Sequence, residues 1–321
     1  MTSWVLIGVA LSAAAGDMVT NDAWGRLFDE AYRLEAEGRY AEAFVQSSRA
    51  LEETQKFDPG DVRISMTLNR IGIAATHLGR YPVAEKAFLR GIRLIEQRQG
   101  DRFPLALLLG NLGSVYFLEG NRNKEAEQLK RRALDLALSV VGPNHPDTGN
   151  LFLGLAILEL QTHRMPEAQA HLESALAALE NSPPEYATHL AAAFHNFAHL
   201  AASRERYSEA IAKYEKSIAL FEQNLRPDHP SLTYPLTGLA SVYIKTDQAA
   251  LALPLLDRAL RIAESAYDKD HPVLANVLSL YAAALKKAGR KTEAQVMASR
   301  AATIAAVRRA KVDISDLGAG R

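Results

Sequence analysis

A chain of 321 residues with 37 Lys and Arg against 37 Asp and Glu has no net charge, which argues against wholesale nucleic-acid binding. It contains no cysteine, so disulfides, thiolate zinc sites and cysteine nucleophiles are excluded together, while the compartment stays open. Nearly half of the residues are hydrophobic and few are aromatic, an alanine- and leucine-rich balance suited to helices.

Residues 1–16, MTSWVLIGVALSAAAG, stand apart from the rest. Trp4 to Ala15 is an apolar run too short to cross a bilayer comfortably, so no transmembrane span is expected. Ala13 and Ala15 offer an A-x-A cleavage site, and the segment reads as a secretory signal peptide, which implies export to the periplasm or medium. Its start lacks Lys and Arg, which keeps a second reading open: an N-terminal apolar helix on a cytoplasmic protein.

The chain then repeats. Small residues recur at Ala43, Ala84, Ala126, Ala168, Ala210, Ala252 and Ala294, each 41 or 42 residues after the last. A second ladder, Ala50, Gly91, Ala133, Ala175, Ser217, Ala259 and Ala301, follows seven residues behind. Seven residues are about two helical turns, so both ladders share one helix face. Such a period marks a repeat array of paired helices whose close crossing demands small side chains. Enlarging one should cost roughly 1–3 kcal/mol through overpacking.

Trp24, Leu27, Ala31 and Leu34 predict the first helix, Glu37-Gly38-Arg39 its turn, and 41–55 the return helix. Repeat two spans Val62 to Leu78, turns at Gly79 and returns over 82–97; Pro82, and Pro166 two repeats later, suit a first helical turn. Repeat three, 103–140, carries LGNLGSVYFLEG and a turn, Gly120 to Lys124, that reads as one residue longer than the others. His145-Pro146, His229-Pro230 and His271-Pro272 open repeats four, six and seven, and Ser182-Pro183-Pro184 precedes repeat five. Pro235 and Pro254 fall inside helical patterns, which predicts a late start or a mild kink in repeat six. Seven repeats fill residues 20–311 as one domain, and 312–321 reads as a frayed tail. The basic stretch from Lys286 to Lys311 is either a solvated end face or a patch for an anionic partner.

No catalytic chemistry emerges. His195 and His199 share a helix face, as metal-binding pairs do, but no cysteine or carboxylate joins their stripe. Glu42, Glu167, Glu209 and Glu293 sit in the first turn of each second helix, where negative charge is favourable. There is no Gly-rich phosphate loop and no nucleophile setting. Neither enzyme activity, metal nor cofactor is expected.

Leu112-Gly113, Tyr116, Gly120 and Ala126, with Leu239-Ala240, Tyr243, Ala252 and Ala259, resemble the tetratricopeptide repeat. The 42-residue spacing and His-Pro openings resemble the variety found in kinesin light chains. The resemblance implies an all-α right-handed solenoid whose concave groove binds a protein or peptide. Its groove residues lie two, three, six, ten and thirteen positions before each turn. Carried over, they include Asn69 and His77, His195 and His199, Tyr234, Thr237, Ser241 and Lys245, and Asn276, Ser279, Lys286 and Lys287. Repeats three and four add Leu107, Phe117, Leu118, Leu153 and Ile157. Such a groove suits a peptide with an apolar stretch and an acidic end; alternatively the lysines only favour the helix dipoles. No position six before a turn is asparagine, unlike the family's clamp for chaperone tails. The expected role is a scaffold or adaptor, with a peptide-responsive regulator or an envelope assembly factor as the other readings. The oligomeric state stays open.

Overall fold

The computed structural model describes residues 22–98 and 102–318, where fourteen α-helices and no strand form an all-α solenoid. The 1–16 segment lies outside the described residues. Seven hairpins follow in order: α1 (Ala23–Ala36) with α2 (Tyr40–Glu53), α3 (Val62–His77) with α4 (Tyr81–Arg98), and α5 (Arg102–Glu119) with α6 (Asn123–Val140). After them come α7 (Pro146–Gln161) with α8 (Met165–Leu179), and α9 (Ala187–Ser203) with α10 (Tyr207–Asn224). The last are α11 (Thr233–Lys245) with α12 (Ala249–Ala266), and α13 (Pro272–Lys287) with α14 (Lys291–Gly318).

Contacts gather the described chain into two compact units, 22–193 and 194–318, divided within α9. In the first, α1, α3, α5 and α7 touch in sequence as one layer, and α2, α4 and α6 each pack on the following first helix. In the second, α11 touches α13, while α10 and α12 pack on α11 and α13 respectively. Every member of both small-residue ladders is buried at these crossings. Four residues beyond the first ladder, Phe88, Leu172, Tyr214 and Leu256 fill the hairpin cores.

The turns explain the regular spacing. In six hairpins a residue with positive φ follows the first helix: Gly38, Gly79, His163, Glu205, Asp247 and Gly289. The next backbone N–H then closes on a carbonyl five residues back, as Arg206 does on Ala201 at 2.9 Å and Gln248 on Tyr243 at 2.8 Å. That is the Schellman closure of a helix end. Repeat three departs from it. Asn121 enters between the positive-φ Gly120 and Arg122, but α5 ends directly at Glu119, so the connection is three residues like the rest. The longer turn expected there is therefore not formed; the helix end absorbs the extra residue.

The histidines of the His-Pro pairs cap helices. The Nδ1 atoms of His145, His229 and His271 accept from the backbone N–H two residues on, at 3.2, 3.2 and 3.3 Å. Repeat six starts with a short 3₁₀ turn, Pro230–Leu232, before α11, which leaves Pro235 in the first turn of the helix. Pro254 lies within α12, which continues through it. The acidic residues of the first turns hold more than the dipole: Glu42, Glu209 and Glu293 pair with Arg39, Arg206 and Arg290. At the end of the chain α14 stays helical to Gly318, past the loss of apolar periodicity on which the frayed tail was based.

Candidate functional site

In the 194–318 unit the expected groove residues divide into two groups. Tyr234, Ser241 and Asn276 are half-buried, and Lys245, Ser279 and Lys286 are exposed. His199 is half-buried, and burial, then the neighbouring Lys245 ammonium, push its pKa down to about 4, so its ring is neutral. Thr237 and His195, however, are buried and closed to a partner in this state. The Thr237 hydroxyl donates to Thr233 O at 2.7 Å, and the His195 ring lies 5.4 Å from Tyr214. Lys287, though exposed, caps the preceding hairpin: its Nζ donates to Ile244 O at 2.7 Å and pairs with Asp247.

The reason is register. At successive steps of 42 residues, Asn69, Asn111, Leu153, His195 and Thr237 are all buried, and only Ser279, in the last hairpin, is exposed. The Asn111 Nδ2 donates to Asn69 Oδ1 at 2.9 Å across adjacent first helices, so this position faces the next repeat and not solvent. Among the described residues no further hairpin follows to cover Ser279.

In the 22–193 unit Asn69 is thus interior, and His77 is half-buried with its ring stacked on Tyr40 at 4.0 Å. Leu107, Phe117, Leu153 and Ile157 are core side chains and not open lining; Leu118 is half-buried. The apolar character of those helices therefore reports burial around α5 and α7.

Several buried polar groups were not anticipated from the sequence. Arg70 and Glu35 form an ion pair at 2.6 Å with the guanidinium over Tyr32. Glu159 is buried with its Oε2 2.7 Å from His171 Nδ1. Lys130 occupies the slot of Phe88, Leu172 and Tyr214; its Nζ donates to Ser114 Oγ, and burial pushes its pKa down to about 7. Asp147, beside the His145-Pro146 opening, is buried too; burial pushes its pKa up to about 7, while a 3.3 Å bond from the Tyr186 hydroxyl acts the other way. The signal for Lys130 was present, as the one charged residue at a regularly apolar step. Among the described residues no three His, Cys, Asp or Glu side chains gather as a metal ion would require.

Two models of the tetratricopeptide repeat match the sequence, one over residues 104–181 and 232–306 and the other over 190–231, together well over half of the chain. The chain belongs to the tetratricopeptide-repeat family. Among solved structures, kinesin-light-chain TPR-like repeats of Podosopora anserina are 22% identical, with a TM-score of 0.50, covering 65% of this chain and 98% of that one. BtubC (BKLC) of P. vanneervenii is 17% identical, with a TM-score of 0.51, covering 76% and 92%. A Rap protein complexed with Competence and Sporulation Factor is 16% identical, with a TM-score of 0.56, covering 88% and 97%. At these identities the likeness is one of fold, that of TPR solenoids of the kinesin-light-chain and Rap kinds. Among curated proteins none matches. The TPR array supports a protein-interaction scaffold in general terms. Among the described residues no helix is long and apolar enough to cross a membrane.

Proposed function

We propose that this TPR protein is a non-catalytic adaptor whose 194–318 unit binds a protein or peptide segment with an acidic end. The observation that supports it is the pair Lys245 and Lys286. Both ammonium groups are exposed at the ends of the touching helices α11 and α13, and neither forms an ion pair among the described residues. Lys287 differs, because Asp247 already neutralises it. Ser241, half-buried, lies one turn before Lys245, and half-buried Tyr234 and Asn276 stand at the N-terminal ends of the same two helices, with an aromatic surface and hydrogen-bonding groups. A few such anchors carry most of the affinity of an interface. The partner would be a polypeptide; neither nucleic acid nor a cofactor enters this reading.

The test is fluorescence anisotropy with a panel of labelled peptides ending in acidic residues, beside neutral versions. The wild type should prefer the acidic members, and Lys245→Glu with Lys286→Glu should lose that preference at unchanged circular dichroism. Equal binding of acidic and neutral peptides by both proteins would overturn the acidic-end reading.

A second reading, a peptide-responsive regulator, draws support from the Rap-like fold, since one such neighbour was solved with a bound factor. Scattering profiles that change on peptide addition would favour it over a rigid adaptor. An envelope assembly role and export rest on residues 1–16 as a signal peptide. Sequencing the mature N-terminus decides that branch, and an intact start on soluble protein would remove it.

A further inference from the structure

The joint between the first two hairpins departs from a pattern that other joints keep. One residue before the second small-residue ladder stand Arg132, Arg258 and Arg300, and each pairs with a glutamate of the preceding hairpin. Those partners, Glu96, Glu222 and Glu264, lie five residues after Gly91, Ser217 and Ala259 of the same ladder. At the joint of hairpins three and four both partners are replaced, by Leu138 and Ser174. At the first joint only the acid is lost. Arg90 keeps the basic position, but five residues after Ala50 stands Gln55, in the 3₁₀ turn Thr54–Lys56 that follows α2. Arg90 is exposed and forms no ion pair among the described residues.

That guanidinium opens on a cleft. Helices α2 and α4 both pack on α3, and between them lies a cavity of about 660 Å³, within the size range of small-molecule sites. Its apolar walls include Leu51, Phe57, Ile64 and Leu94. Ser48 and Thr54 also line it, but their hydroxyls donate to Phe44 O at 2.8 Å and Leu51 O at 2.6 Å. The groups left for a ligand are the Arg90 guanidinium, the Gln55 amide and the Glu52 carboxylate, all on exposed residues. Arg63, whose guanidinium covers the Phe57 ring at 3.5 Å, is already held by Asp61. Glu52 lies one turn before Gln55, so its Cβ is about 5–6 Å from the position that supplies the acid at other joints. A ligand of one sign would be repelled by either Arg90 or Glu52. A zwitterion with an apolar body suits both.

We propose that this cleft binds a free apolar α-amino acid. Its carboxylate would stand in for the missing glutamate on Arg90, where a guanidinium offers two parallel N–H donors. Its ammonium, one carbon away, would donate to Glu52, and its side chain would lie against Leu51, Ile64 and Leu94. The site belongs to the 22–193 unit and uses neither Lys245 nor Lys286, so it stands or falls independently of the acidic-end reading.

The experiment is calorimetry on the full chain with L-phenylalanine and L-leucine as probes, beside the N-acetyl and amide derivatives of each. The tighter of the two amino acids should bind at least tenfold better than either of its derivatives, each of which lacks one charge. Arg90→Gln and Glu52→Gln should each weaken it at least tenfold at unchanged circular dichroism. Gln55→Glu restores the acid of the other joints, so it should pair with Arg90 and lower affinity at least tenfold without lowering the unfolding midpoint. Equal binding of a blocked derivative, undiminished binding by Gln55→Glu, or no binding of either amino acid up to its solubility limit would each overturn the proposal.

Discussion

Lys130 Nζ donates to Ser114 Oγ at 2.7 Å, and a Cβ placed on Gly154 of the next hairpin would lie 3.0 Å from the same nitrogen. Tyr214 repeats the arrangement two hairpins on, its ring against Gly238. The slot is one where a long side chain reaches from a second helix to the following hairpin. In one case it delivers an aromatic ring and in the other an amine, 3% exposed, with one hydrogen-bond partner.

That amine should make stability depend on pH. Burial lowers the folded pKa of Lys130 to about 7, against about 10.4 for an unfolded lysine. Below pH 7 both states are protonated and the full cost of the buried charge applies. Between pH 7 and 10.4 the unfolded chain binds more protons, so stability rises with pH and the penalty fades. Lys130→Met should therefore stabilise the protein at pH 6, by roughly 3–5 kcal/mol at most, and by little at pH 10. Ser114 stays satisfied by Gly110 O at 3.1 Å. Urea unfolding at the two pH values checks this; a gain independent of pH would mean the amine is solvated.

Gly238 tests the same slot sterically. A Cβ there would fall 2.4 Å from Tyr214 Cε1, and the buried ring cannot swing away. Gly238→Ala should cost about 1–3 kcal/mol. Adding Tyr214→Leu should recover part of that loss, so the double variant should be better than the sum of the singles. Additive losses in thermal denaturation would show that the two residues are uncoupled.

Much of this architecture was legible in the sequence because repeats report it many times. The alanine steps, the proline starts and the turn positions recur, and their burial and backbone geometry follow from packing that every hairpin shares. The site was less legible. Asn69, His195 and Thr237 were assigned to a groove by counting from the turn, but the count does not distinguish a residue facing solvent from one facing the next repeat. Only the Asn111–Asn69 hydrogen bond reveals which it is. Lys287 looked like Lys245 by position, and the Asp247 turn that consumes it was one hairpin away. Asp147 and Glu159 carried no signal in the sequence, because burial of a charge depends on neighbours far along the chain.

Glu205 carries a cost that a single substitution removes. It holds φ at +58°, the left-handed region in which Gly38, Gly79 and Gly289 serve the same turn. A side chain there costs roughly 1–2 kcal/mol relative to the right-handed form, and glycine avoids that while giving back some entropy. Glu205 is exposed, so nothing else depends on its side chain burial. Glu205→Gly should raise stability by about 0.5–1 kcal/mol, and Gly79→Ala should lower it by about 1 kcal/mol. Chemical denaturation checks both signs; a destabilised Glu205→Gly would mean the turn is not strained.

His145 and Asp147 should pull stability in opposite directions across the same pH range. The imidazole caps α7 by accepting the Asp147 N–H at 3.2 Å, which requires Nδ1 to be unprotonated. Burial holds its pKa below that of an unfolded histidine, so as pH falls through that window the unfolded chain takes up the proton first and stability drops. Asp147 has the reverse sign: its folded pKa is pushed up to about 7, so the native state takes up its proton first and stability rises as pH falls from 7 toward 4. The two slopes offset each other in the wild type. His145→Asn keeps an acceptor at the cap and removes the titration, so its stability relative to the wild type should grow as pH falls from 8 to 5. Asp147→Asn leaves the histidine slope alone, and its advantage should be largest at pH 8 and vanish below pH 4. Urea midpoints for the three proteins across that range separate the two contributions, and parallel curves would show that neither group titrates differently on folding.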